Sequence, residues 1–216
     1  MKKMLVATLV AMLGITSAYG QFSAGTLSVG GGVAFSSEKS KYEYDNNRTV
    51  EGDLGTYFKL SPSVGYFFAD DLEAGLTLGI TRQAWSSSFN SDLRYITGQT
   101  TFEPYVRKYF SLAETVAFFG EAGLGIGGGK TTRIDDDNNT TVKYNQASVF
   151  NLGLRPGVVF RPADRFGVEL TAGYFGYRST RTENPDNNGD VDMRKDSSFG
   201  LSLDMSNVQL GLKLFF

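Results

Sequence analysis

Residues 206–216 alternate strictly between apolar and polar positions. Val208, Leu210, Leu212, Leu214 and Phe216 share one parity, and Asn207, Gln209, Gly211 and Lys213 share the other. Successive side chains of an extended strand point to opposite sides, so the segment presents one apolar wall and one mostly polar wall. A strand of a water-soluble sandwich would turn its apolar wall inward and stop on a polar residue. A strand facing lipid can stop on Phe215 and Phe216, at a membrane boundary. The period-two signal recurs along the chain. Residues 26–35 set Leu27, Val29, Val33 and Phe35 against Ser28, Gly30, Gly32 and Ala34. Residues 54–68 carry Phe58, Leu60, Val64, Tyr66 and Phe68 on the apolar side, and the third segment carries Leu72, Ala74, Leu76, Leu78 and Ile80. Phe102, Val106 and Phe110 mark a fourth strand, and Val116, Phe118, Ala122, Leu124 and Ile126 a fifth. Phe150, Leu152, Leu154, Val158 and Phe160 mark a sixth, and Phe166, Val168, Leu170 and Ala172 a seventh.

The connections alternate as well. Turns of a few residues follow the second, fourth and sixth strands, at 69–71, 111–114 and 161–164. Polar stretches without apolar period follow the others, at 38–53, 86–95, 135–139 and 181–197, and read as loops. Short turns at one end, long loops at the other and an even strand count are the marks of an outer-membrane barrel. The expected fold is therefore all-β, an eight-stranded antiparallel up-and-down transmembrane β-barrel over residues 21–216. Aromatic residues fit two interfacial girdles. Tyr66, Phe68, Phe110, Phe118, Phe160, Phe166 and Phe216 gather at the short-turn end, and Phe58, Trp85, Tyr174 and Tyr177 at the other.

Parity sends Glu73, Glu103, Arg107, Glu121, Arg155, Glu169 and Lys213 into the lumen. The interior of an eight-stranded barrel is just wide enough for its side chains to fill, so these charges are expected to pair into a plug and leave no wide channel. Lys108 falls on the lipid-facing parity near the short-turn end, where a long side chain can snorkel to the headgroups. The three short-turn hairpins also resemble one another. Each descending strand holds a proline followed two residues later by valine (Pro62 and Val64, Pro104 and Val106, Pro156 and Val158), and the ascending strands carry Glu73, Glu121 and Glu169 at intervals of 48 residues. Proline removes a ladder donor, so interrupted pairing or a bulge is expected at each.

Composition narrows the chemistry. The 216 residues suit one all-β domain, and 26 glycines with 13% aromatics fit alternating strands. The 21 basic and 23 acidic residues nearly cancel, which argues against nucleic acid as a partner. Lys2 and Lys3, an apolar run from 4 to 15 and small residues at Ala18 and Gly20 read as an export signal over 1–20, cleaved after Gly20. With neither histidine nor cysteine, imidazole acid–base catalysis, Ser-His hydrolysis, thiol nucleophiles and disulfides are all excluded. No enzyme activity and no cofactor is expected. Asp135, Asp137 and Asn139 begin like a calcium loop, but Thr140 stands where glycine is needed and Gln146 where a bidentate glutamate belongs. Asp186, Asn188, Asp190 and Asp192 fail in the same way at Val191, so no metal site is assigned.

Taken with the signal and the aromatic terminal strand, the segments Glu103 to Phe110 (EPYVRKYF) and Leu154 to Phe160 (LRPGVVF) resemble the small outer-membrane β-barrel, or porin-family, proteins of Gram-negative bacteria. The resemblance covers the whole mature chain and implies insertion into the outer membrane after escort by periplasmic chaperones. It implies contact with lipid and lipopolysaccharide, and delivery to the barrel-assembly machinery by a terminal signal made of Val208, Leu210, Leu212, Leu214 and Phe216. It selects no single activity. The reading adopted is a monomeric structural or surface-interaction barrel acting through its outer loops, with any loop ligand unspecified. A narrow pore for small solutes or ions is the alternative. A secreted lipocalin-like barrel binding a hydrophobic ligand is a third reading, opposed by the small residues and charges on the inward parity.

Overall fold

The computed structural model describes residues 22–44, 48–87, 90–135, 140–185, 191–202 and 208–216. Ten strand segments build the wall: β1 (Leu27–Tyr44), β2 (Arg48–Ala69), β3 (Leu72–Ser87), β4 (Asn90–Ala113), β5 (Val116–Asp135), β6 (Thr140–Ala163), β7 (Phe166–Thr171), β8 (Tyr174–Pro185), β9 (Val191–Ser202) and β10 (Gln209–Phe215). They form eight staves, because β7 with β8 makes the seventh and β9 with β10 the eighth. All pairings are antiparallel. The sheet closes where β10 pairs on one side with β1, from Ser28↔Phe215 to Val33↔Leu210, and on the other with β7. The result is the expected closed antiparallel barrel. Above this closed half, among the described residues, β9 pairs with β8.

The polar stretches expected to be loops are largely strand. β1 and β2 stay paired as far as Tyr44↔Arg48, β3 and β4 to Ser87↔Asn90, and β5 and β6 to Asp135↔Thr140. These arms carry no apolar alternation, and a register shift interrupts each ladder, at Lys39/Lys41, Ser86/Ser87 and Thr131/Thr132.

The outward wall is an apolar belt. Phe35, Val64, Phe102, Ile126, Leu154 and Leu212 are all exposed on it, the reverse of a soluble barrel around an oily cavity. At its lower edge Lys108 bends down, and its Nζ donates to the Asp70 carbonyl at 3.3 Å. The three prolines interrupt the ladder locally. β2 and β3 pair at Leu60↔Ile80 and resume at Ser63↔Thr77, and β4 and β5 pair at Phe102↔Ile126 and resume at Tyr105↔Gly123, with no change of register. Each missing N–H faces the strand that follows in the same hairpin.

The third proline coincides with a real dislocation. Leu154 pairs with Phe175 of β8, but Gly157 pairs with Thr171 of β7, so the seventh stave holds one extra residue at Ala172–Gly173. Gly173 adopts φ +83°, which a residue without Cβ reaches readily. The insertion reverses the parity above it. Tyr174 and Arg178 therefore turn to the lumen, correcting the assignment of Tyr174 to the outer girdle. Trp85 is the second correction, because it shares the face of Glu73 along β3 and stacks on Tyr95 at 4.1 Å on the lumenal side.

Candidate functional site

The floor of the lumen is aromatic. Phe67, Phe119, Phe215, Tyr109, Ala117 and Val159 are buried there around Phe22, from the segment preceding β1. The Phe22 ring lies 4.2 Å from Tyr109 and 5.4 Å from both Phe67 and Phe215. Backbone bonds hold the segment under the barrel. The Asp71 amide donates to the Phe22 carbonyl at 2.8 Å, and the Gly25 amide to the Phe67 carbonyl at 2.8 Å. From beneath, the Arg161 guanidinium covers the faces of Phe22 and Phe215, at 4.5 and 4.8 Å. Sequence reasoning missed this plug, yet a signal for it exists. Four aromatic doublets, Phe67-Phe68, Tyr109-Phe110, Phe118-Phe119 and Phe215-Phe216, stand at the short-turn ends, and alternation must send one ring of each to lipid and the other inside.

Above the rings, all seven sequence-selected charges face inward, in one connected network. Glu73 and Lys213 form its most deeply buried pair, 0% and 1% exposed and 2.7 Å apart. The Glu73 carboxylate also accepts from Ser28 Oγ at 2.6 Å, Tyr105 at 2.8 Å and Tyr109 at 2.7 Å, so its lone pairs are filled. Lys213 lies 3.6 Å from Glu169 Oε1, and Glu169 accepts from Arg107 Nη1 at 2.7 Å. Arg107 Nη2 reaches Glu121 Oε2 at 2.6 Å while its guanidinium stacks 4.2 Å from the Phe119 ring. Glu121 is bridged in turn by Arg155, Nε donating at 3.0 Å, and Arg155 Nη2 also pairs with Glu103. Carboxylates and cations alternate along this chain, so each charge taken out of water gains an opposite neighbour.

The partners come together because the hairpins repeat. Glu73 of β3 stands beside Arg107 of β4, Arg107 beside Glu121 of β5, and Glu121 beside Arg155 of β6 in consecutive ladders. Small residues leave the room. A Cβ on Gly65 would strike the Glu73 carboxylate and the Ser28 hydroxyl. Between Glu103, Arg107, Glu121, Arg155 and Glu169 a cavity of about 50 Å³ remains. Lys59 and Arg178 are lumenal cations outside the sequence-selected set. Lys59 has inward parity on β2 and could have been found by counting, whereas Arg178 is hidden by the parity reversal at Gly173.

The residues selected as an assembly signal divide by position. Leu210, Leu212, Leu214 and Phe216 point outward and are exposed, and Val208 is half-buried just before β10 begins. Of the rejected calcium loops, residues 136–139 and 186–190 lie outside the described residues. Among the described residues no acidic group is arranged to hold a metal ion.

Among solved structures the chain is similar to the outer membrane protein OprG from Pseudomonas aeruginosa, with 13% identity and a TM-score of 0.51 over 91% of this chain and 98% of that one. The fold is that of an outer-membrane β-barrel. This barrel is also similar to a major outer membrane protein from Thermus thermophilus, with 14% identity and a TM-score of 0.49 over 89% of this chain and 100% of that one. Ail of Yersinia pestis shows 16% identity and a TM-score of 0.41 over 89% and 99% of the two chains. At these identities the likeness is one of fold, and only the first is close enough in shape to bear on it. No protein-family model matches the barrel's sequence, and no curated protein matches it.

Proposed function

We propose that this protein resides in the outer membrane as a monomeric barrel with a sealed lumen, and that its role is structural or surface-interacting through its outer hairpins. The observation that carries the reading is the double closure of the bore. An aromatic floor with Phe67 and Phe119 fully buried lies under an ion-pair network spanning Lys213 to Glu103. Ions crossing such a bore would have to separate charges that are 2.6–2.7 Å apart in a region of low dielectric. The exposed apolar belt supports contact with lipid, and the outward residues Leu210, Leu212, Leu214 and Phe216 are available to the assembly machinery and chaperones as an exposed strand signal. Catalysis and a resident cofactor form no part of this reading, and the hairpin arms are where an extracellular ligand would be met.

The test is single-channel recording of the mature chain refolded into a planar bilayer, beside Glu121→Ala and Arg155→Ala, with heat-modifiable migration confirming insertion. A silent bilayer for the unsubstituted protein is expected. Discrete openings altered by either substitution would overturn the sealed-lumen reading in favour of a narrow pore.

A further inference from the structure

Above the network the lumen widens into a cavity of about 330 Å³, lined by Ser36, Glu38, Tyr57, Lys59, Gln83 and Arg178. All six lie on the inward parity of β1, β2, β3 and β8. Two cations contribute to this wall. Among the described residues neither Lys59 nor Arg178 lies within ion-pair distance of a carboxylate, in contrast to Arg107 and Arg155 one level below, whose guanidinium groups are taken up by Glu103, Glu121 and Glu169. Lys59 and Arg178 thus line one cavity above Arg155, whose carboxylate partners Glu103 and Glu121 belong to the network below. Arg178 is free to use its fork. Its guanidinium carbon lies 5.5 Å from the centre of the Tyr174 ring, and the side chain lines this cavity.

We propose that this vestibule is a binding site for a small oxyanion, a solute bearing phosphate or carboxylate that enters from the outer mouth and is held between Lys59 and Arg178. A concave wall carrying unpaired cations raises the local anion concentration. The guanidinium fork matches the two oxygens of a phosphate or carboxylate, and the ammonium adds a point charge. Ser36, Tyr57 and Gln83 supply neutral donors on the same wall, so an anion here would not depend on charge alone. Among the described residues Glu38 is the one carboxylate lining the cavity, and it opposes the anion. The site does not depend on whether the lumen conducts, because it lies above the plug.

The experiment uses the refolded chain in uncharged detergent micelles, titrated with inorganic pyrophosphate by calorimetry at fixed ionic strength. Chloride serves as the control anion. Trp85 provides a second readout. It is the single tryptophan, and its ladder partner Gly55 lines the cavity. Saturable binding with a change in Trp85 fluorescence is expected. Lys59→Gln and Arg178→Gln should each weaken it about tenfold, the loss of one charge-assisted hydrogen bond. Glu38→Gln should tighten it. Heat-modifiable migration of all three variants shows that they fold. Absence of saturable binding, or affinity unchanged in both Lys59→Gln and Arg178→Gln, overturns the site. A Trp85 response to micelles doped with a phosphorylated lipid, with none to pyrophosphate, overturns it as a solute site.

Discussion

Glu73 accepts hydrogen bonds from a serine, two tyrosines and a lysine, and all of these donors are buried with it. Its replacement by glutamine would leave the Lys213 ammonium without its closest carboxylate in a water-poor site. Glu73→Gln is therefore expected to cost about 3–5 kcal/mol, measured by urea unfolding of the refolded barrel in micelles. Lys213→Met should cost a similar amount, and the double variant less than the sum, because each single change strands the other charge. Asp71, in the turn between β2 and β3, behaves in the opposite sense. It is a non-glycine residue at φ 58°, and its Oδ1 is buried without a hydrogen-bond partner. Burial pushes its carboxyl above the usual carboxylate range. Folding thus disfavours the ionised form, and stability is lost as pH rises from the unfolded-state value through the folded one. Asp71→Asn should be more stable than the parent near neutral pH. Unfolding curves should show that advantage shrinking as pH falls into the carboxylate range, and an advantage that grew on acidification would contradict the assignment.

Single elements carry two further consequences. The bulge at Gly173 decides which residues of the seventh stave face the lumen, since Tyr174 and Arg178 point inward only because the extra residue reverses parity. Gly173→Ala forces a Cβ into a left-handed backbone conformation and should cost about 1–2 kcal/mol. If the bulge relaxes instead, Arg178 turns toward lipid, and a cysteine placed at 178 would become reachable by lipid-phase reagents. The segment before β1 is the second case. Phe22 is 1% exposed, and it completes the floor together with rings from β2, β4, β5 and β10. Phe22→Ala should cost about 3 kcal/mol in the same unfolding assay, a large effect for a residue so near the end of the described chain. The period-two alternation counted eight staves and set the seven charges on the inward parity, where the structure brings them together, but it took the strand in 181–185 and 191–197 for part of a loop. It did not reveal the floor, because in an aromatic doublet the apolar period accounts for the outward ring alone. It did not reveal the hairpin arms either, because their sequences carry no apolar alternation to mark them as strand.

The whole molecule is an apolar belt wrapped around an ion-paired lumen with an aromatic floor. Leu76 sits mid-way along the outward face of β3 and is exposed. Leu76→Arg should lower stability in bilayers by about 2–4 kcal/mol. A substitution toward water, such as Thr101→Asn on the lumen side, should have a far smaller effect. Measuring both in lipid vesicles separates a membrane barrel from a soluble one, for which the order would be reversed.

How many staves close the wall, where the chain turns short and which residues of one unbroken alternating run share a face are properties of the sequence by itself. Each is a consequence of side chains alternating across an extended backbone, and needs no knowledge of what lies opposite. Which carboxylate meets which cation, where one inserted residue reverses a stave, and that a phenylalanine ahead of the first strand seals the floor were decided by the tertiary structure alone. Those outcomes depend on the stagger between strands distant in sequence, as Glu73 and Lys213 show across 140 residues. Only closure of the sheet sets that stagger.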